Sequence, residues 1–206
     1  YSRRIGRAPQ GFADRRGGFV DVPPNSTILG AAKLSGRNRS GWAIGRLEAV
    51  TAREHATVED SAGVPHHDEV EPLTTYTVAR GKRDFGGGAS TIGFITTAVN
   101  RDIRRSQLDL LRTAAYTGGV DFSHRFRRNR YSLSGSLGLS YVRGDTLAIQ
   151  RAQRSSARYY QRPDADYVEY DPARTSLAGW TGSLSFGKVA GDWTYSLSTS
   201  AVSPGF

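Results

Sequence analysis

His66-His67-Asp68-Glu69 is the densest run of potential ligands in this chain, and His55, Glu59 and Asp60 lie a short way upstream. Adjacent histidines beside carboxylates suit a transition metal, yet nothing here has the spacing of a defined zinc site. The expectation is a solvated, charge-rich loop that holds no metal. His124, a candidate base, falls in an alternating segment two residues before a turn-like run and reads as an interfacial side chain. Serine is plentiful, which raises acyl transfer; that chemistry needs a serine, a base within hydrogen-bond reach and an oxyanion site. No Gly-x-Ser-x-Gly elbow is present, and the serines recur at every second position, as lining one face of a strand alone would give. Gly86-Gly87-Gly88 lacks the lysine of a phosphate-cradling loop. The chain has no cysteine, which excludes thiolate nucleophiles, disulfides and cysteine-ligated metals within it. No catalytic residue and no cofactor is expected in this segment.

The stretch from Gly144 to Arg174 is the best candidate for touching a ligand. It carries Tyr159, Tyr160, Tyr167 and Tyr170 among Arg158, Arg162, Asp164, Asp166, Glu169 and Asp171. Aromatic faces beside charged donors and acceptors suit sugar or lipopolysaccharide contacts, so Arg158, Tyr159, Tyr160, Arg162, Tyr167 and Tyr170 are the ligand-contact candidates. The acids depart from the spacing of a calcium-binding EF-hand loop. A second reading stays open, in which the loop folds over the adjacent strands and is held by its own ion pairs.

The elements that must position these residues show a period of two. In Thr113 to Phe126, one side carries Tyr116, Val120, Phe122, His124 and Phe126. In Tyr131 to Arg143, one side carries Tyr131, Leu133, Leu137, Leu139 and Tyr141. The opposite sides are small and polar, with Thr117, Asp121, Ser123 and Arg125 on the first and Ser132, Ser134, Ser136 and Ser140 on the second. Such alternation over a dozen residues predicts strands longer than most soluble ones. Pairing the two around Arg127-Arg128-Asn129-Arg130 sets Phe126 against Tyr131 and Tyr116 against Tyr141, so one register aligns aromatic residues at both ends. Ten residues at ~3.4 Å, tilted by ~40°, span roughly 26 Å, close to the ~25 Å apolar band of a transmembrane barrel. The sequence therefore predicts a membrane β-barrel with an apolar outside and a serine-lined lumen. Lys33, Asp121, Arg125, Ser132, Ser134 and Ser136 are the lumen-facing candidates. Asp121 and Arg125 have Ser136 and Ser132 opposite in this register, so neither has a charged partner directly across.

Mean hydropathy is −0.48 and no run of ~18 apolar residues occurs, which excludes helical spans but not a barrel, where alternate residues face water. The net charge of +9 is almost all arginine, with lysine only at Lys33, Lys82 and Lys188. Arg125, Arg127, Arg128 and Arg130 cluster at a tight turn, where arginine meets phosphate headgroups. No recognised nucleic-acid motif accompanies them, and no nucleic-acid partner is expected.

The remaining chain repeats the pattern. Residues 1–25 read as a loop and 26–206 as four β-hairpins of one barrel domain. Thr27 to Ser35 and Trp42 to Thr51 pair first, although Arg46 and Glu48 fall in phase with Trp42 and Ile44; a bulge near Gly45 would put Leu47 and Ala49 outside instead. Ala52 to Glu69 reads as a polar connection. Glu71 to Arg83 and Ser90 to Arg101 follow, with Tyr76 and Val78 expected to pair outward with Ile92 and Phe94. Ser106 is placed to cap a short helical turn. Thr175 to Gly187 and Trp193 to Ser203 close the set. Connections alternate long and short, the loop signature of outer-membrane barrels with short periplasmic turns and long extracellular loops, whereas soluble barrels have no reason to sort them by end. With no methionine, an initiator included, the chain is expected to be an internal piece of a longer protein.

Several segments, among them Tyr1-Ser2-Arg3-Arg4-Ile5-Gly6-Arg7, Ile28-Leu29-Gly30-Ala31-Ala32-Lys33-Leu34-Ser35-Gly36, Ala115-Tyr116-Thr117-Gly118-Gly119-Val120-Asp121-Phe122, Arg158-Tyr159-Tyr160-Gln161-Arg162-Pro163-Asp164 and Ala201-Val202-Ser203-Pro204-Gly205-Phe206, carry a family likeness. They resemble the uncharacterised outer-membrane barrel domain that follows a family-9-type carbohydrate-binding domain in Gram-negative bacterial proteins. The resemblance implies a bacterial outer-membrane location, contact with lipid and lipopolysaccharide, and a possible glycan ligand; it brings no catalytic residues. The expected role is passage or surface handling of a solute such as a glycan fragment, with an outer-membrane hydrolase or a structural, adhesive surface protein as the alternatives.

Overall fold

The period-two alternation folds into long antiparallel strands. The structure, a computed structural model, describes residues 5–14 and 18–206. In chain order the strands are β1 (Phe19–Asp21), β2 (Ile28–Arg37), β3 (Trp42–Thr51), β4 (Glu54–Glu59), β5 (Pro65–Glu71), β6 (Leu73–Phe85), β7 (Ser90–Asp102), β8 (Arg112–Phe126) and β9 (Tyr131–Gly144). Helix α1 (Thr146–Gln153) precedes β10 (Ser176–Lys188) and β11 (Tyr195–Val202). Eight of these strands form one sheet in the order β11-β10-β9-β8-β7-β6-β3-β2, each beside its neighbour in sequence apart from the excursion through β4 and β5. The expected eight strands of a partial barrel are present as one antiparallel sheet, which is open: β2 and β11 pair with inner neighbours only and each keeps a free edge.

The hairpin β8–β9 adopts the register its aromatic residues dictate. Phe126 faces Tyr131, Tyr116 faces Tyr141, Asp121 faces Ser136 and Arg125 faces Ser132. Its turn holds Arg127, Arg128 and Asn129 at φ of 49°, 58° and 62°, three successive left-handed residues, of which only asparagine tolerates that region well. Arg128→Gly should therefore stabilise the fold by roughly 0.5–1 kcal/mol, the relieved strain less the added freedom of the unfolded chain. A higher midpoint in urea unfolding checks this.

Four sequence expectations are corrected. The Ala52 to Glu69 connection is a hairpin, β4–β5, which with β1 makes a second three-stranded antiparallel sheet. Its apolar face is short, but Ala56, Val58 and Val70 are wholly buried and hold it down. Of the expected N-terminal loop, residues 1–4 and 15–17 lie outside the described residues, and Phe19–Asp21 is the strand β1. Tyr76 and Val78 pair with Val99 and Thr97, not with Ile92 and Phe94, which face Arg83 and Gly81. Direct pairing puts Tyr76 and Val78 on the serine-bearing side. Ser106 begins a short 3-10 turn instead of capping it; Arg105 holds the cap position without a side-chain bond, and the turn is anchored by buried Leu108.

The open question at Gly45 is settled by unbroken pairing of β3 with both β2 and β6; the irregularity lies at Ile28/Gly30. Arg46 and Glu48 thus share the face of Trp42 and Ile44. They satisfy each other there at 2.8 Å, and Thr77 donates to Glu48 at 2.6 Å.

Short turns gather at one end of the large sheet and long connections at the other. Among the described residues the apolar face carries no second layer: Leu34, Ile44, Phe94, Val120, Leu139 and Leu197 are all exposed. On the opposite face, near the long connections, residues following β9 fold back. Ile149, Ala152, Tyr160, Ala165 and Val168 bury themselves with Leu177 and the partly buried Val142 and Tyr170.

Candidate functional site

The serine-bearing face is built by straight rows of directly paired residues. One row runs Gly93, Asp121, Ser136, Ser183 and Ser200 across β7 to β11. Hydroxyls bridge the strands along it and its neighbours, with Ser136 and Ser183 at 2.8 Å and Ser185 and Ser198 at 2.9 Å. Ser132 and Ser134 lie in the same β9 phase, and Lys33 sits on this face opposite Leu47. All six residues expected on this side are thus placed on it by register.

Asp121 has a partner that the hairpin alone conceals. Arg80, two strands away on β6, grips it at 2.6 and 3.0 Å through its two terminal guanidinium nitrogens, Nη1 and Nη2. The bridge crosses β7 at Gly93, where a Cβ would stand 2.8 Å from Arg80 Nη2 and from both Asp121 carboxylate oxygens. Glycine is needed there to let the pair pass. Arg125, opposite Ser132 near the short turns, has no ion-pair partner among the described residues. The signal for Arg80 was the glycine itself, an otherwise unmotivated gap in a strand.

Glycines on the opposite face serve aromatic rings. A Cβ on Gly81 would fall 2.2 Å from Phe94, and one on Gly135 would fall 2.7 Å from Phe122. Each ring lies across the glycine it faces in the register. Near the short turns, His124, Phe126, Tyr131 and Phe186 stack in succession at 5.5 to 6.5 Å. His124 also bonds Ser90 at 2.8 Å, a setting that occupies its Nδ1. At the other end Tyr116 stacks on Tyr141 at 6.4 Å and donates to Asn100.

The candidate ligand run is dispersed by the β4–β5 hairpin. Glu69 is buried against Arg53, which also reaches Asp102 at 2.9 Å. Arg104 sits 2.6 Å from Asp102, whose hydrogen bond, with its charge, raises the guanidinium above its usual range. Asp68 accepts the Asp14 N–H at 3.0 Å, and His67 meets Thr57 at 3.4 Å. Among the described residues no group of three or more His, Asp or Glu side chains is arranged to hold a metal ion.

The long connection folds over the serine-bearing face and brings two of its six candidates, Tyr160 and Tyr167, to one cavity of about 600 Å³ beside Trp180, leaving the other four apart. Tyr160 is buried in the loop core with Arg174 over its ring, and Tyr170 packs beside it under Arg154 at 4.6 Å. Tyr159 and Tyr167 are exposed, the latter with Arg162 over its ring. Arg158 donates weakly to the Gly205 carbonyl at 3.4 Å. Gln153, wholly buried, ties the loop to itself by donating to the Asp171 carbonyl at 2.7 Å and accepting the Asp171 N–H at 2.9 Å.

Residues 1–206 match the family model described as Domain of unknown function (DUF5916). The chain belongs to this family. No curated protein and no solved structure matches the chain. Membership in DUF5916 thus gives a family without an assigned activity, and the two-faced sheet is what remains to be interpreted.

Proposed function

We propose that this DUF5916 chain is part of an outer-membrane β-barrel of a Gram-negative bacterium that passes, or handles at the cell surface, a solute such as a glycan fragment. One observation carries the reading: a long antiparallel sheet bears an uncovered apolar face, with Leu34 71%, Leu139 57% and Leu197 73% exposed. Soluble monomers rarely leave a contiguous apolar patch of more than a few hundred Å² in water, and a lipid face removes the difficulty. Aromatic stacks at both ends of that face suit the two interfaces, and the sorting of connections by end suits short periplasmic turns and long outer loops. Arg46 and Glu48, paired with each other and held also by Thr77, are charges on the apolar side away from the strand ends, whereas Arg83, Arg143 and Lys188 lie near the ends of that face. Mutual pairing is how such groups are accommodated away from water. Barrels of the family it resembles follow a carbohydrate-binding domain, which directs the choice of solute toward glycans.

Liposomes containing the full-length protein should swell in isosmotic disaccharide and resist a large dextran. Correct assembly without swelling, together with glycan hydrolysis, would replace passage by enzymatic work. A companion test uses Arg125, which lies on the serine-bearing face and has no ion-pair partner among the described residues. Arg125→Glu should move the reversal potential in a salt gradient toward cation preference, and an unchanged potential would place Arg125 off the conduction path.

A further inference from the structure

Four arginines from four separate parts of the chain border one cavity of about 530 Å³ at the long-connection end of the serine-bearing face. Arg7 comes from the N-terminal segment, Arg101 from β7, Arg112 from β8 and Arg151 from α1. Register puts Arg101 in the row of Thr74 and sets Arg112 opposite Gly144, both on the serine-bearing side. Ala148, Leu110 and Leu111 supply apolar wall. A second cavity of about 470 Å³ shares Arg7, Gln10, Arg101 and Arg112, and continues along Tyr76 and Thr97. The two make one groove beneath the N-terminal segment.

Among the described residues, none of the four arginines is in an ion pair. Glu71, a carboxylate whose charge reaches Arg101, is buried and engaged by Gln10, whose N–H donates to it at 2.8 Å. Arg101 Nη1 donates to the Arg112 carbonyl at 3.1 Å, while its Nε is buried with no partner. The charges of Arg158, Arg101 and Arg151 all act on Arg112. Bringing like charges together in a half-enclosed space is unfavourable, and an oxyanion reverses the sign of that interaction while taking up free N–H donors in the guanidinium fork geometry. The volume lies within the usual range for small-molecule sites.

We propose that this arginine-lined cavity binds the oxyanionic group, phosphate, sulfate or carboxylate, of a saccharide-sized solute. The proposal rests on the solute-handling reading for the side from which the solute arrives, and adds its charge class. The same anion chemistry is offered by lipid A headgroups, which the test separates from a soluble source.

The full-length protein in phosphatidylcholine nanodiscs is titrated calorimetrically with glucose 6-phosphate and with glucose. Saturable binding of glucose 6-phosphate alone is expected. It should weaken at least tenfold in Arg112→Gln and in Arg151→Gln, the loss of about one charge-assisted contact. Arg151 lies on the exposed side of a short helix, so its variant keeps the fold if Arg112→Gln does not. Arg128→Gln, at the distant short turn, should bind as the parent does. No binding, equal binding of glucose, or binding indifferent to both variants overturns the proposal. Arg112-dependent binding of lipid A where glucose 6-phosphate fails overturns the soluble source and assigns the cavity to headgroups. Sugar flux that persists while phosphate binding is absent removes this site and leaves the barrel reading standing, so the two failures are distinct.

Discussion

Leu137→Arg should abolish assembly of the protein in membranes, while Ser136→Arg, one residue away, should assemble normally. The two positions are adjacent on β9 but belong to opposite faces. Leu137 faces Val120 and Gly182 on the apolar side and is half exposed. In water an arginine there would be harmless or favourable. At the middle of a lipid bilayer it costs about 2–4 kcal/mol, enough to cripple a protein whose whole stability is of order 5–15 kcal/mol. Ser136 faces Asp121, so an arginine there meets a carboxylate already shared with Arg80. Heat-modifiable gel migration reports assembly for both variants. Equal behaviour of the two would remove the lipid-face assignment.

Ile149→Ala should release the cap on the serine-bearing face. Ile149 is wholly buried among Ala152, Tyr160, Ala165, Val168 and Leu177, the cluster that holds the long connection down. Truncating a buried isoleucine to alanine costs about 2–5 kcal/mol, comparable to the entire stability of a cluster this small. The segment carries Arg151, Arg154, Arg158 and Arg174, none followed by proline, so loosening exposes several tryptic sites. Limited trypsin digestion should cut the variant between residues 150 and 175 at a concentration that leaves the parent intact, with the strands still protected. Unchanged cleavage would mean that this cluster does not hold the segment.

The main sheet was legible because its strands are long and their two faces differ in kind. Serines against leucines over Tyr131 to Tyr141 admit one facing, and a four-residue turn with aromatic residues at both ends admits one register. Where both faces are mixed, the pattern fails. β6 alternates Thr75, Thr77 and Ala79 with Thr74, Tyr76 and Val78, so neither set announces its side, and only pairing to β3 and β7 decides it. β4 and β5 were hidden because three small apolar residues carry their burial while histidines and acids dominate the sequence. The Arg80–Asp121 bridge left one trace in the sequence, Gly93, but its partners lie 41 residues and two strands apart, so the glycine alone did not name them. The arginine cavity assembles from four distant segments for the same reason. Tyr160 shows what residue type does not reveal: its ring joins the loop core and at the same time borders a cavity with Tyr167.

The central claim is that the apolar face meets lipid and the serine-bearing face meets water. The chain has no cysteine, so single nitroxide labels can be placed at Leu137→Cys and Ser136→Cys. In the reconstituted protein the label at position 137 should collide freely with oxygen and little with a water-soluble nickel complex, and the label at 136 should do the reverse. High nickel accessibility at both positions, in correctly assembled protein, would contradict the account.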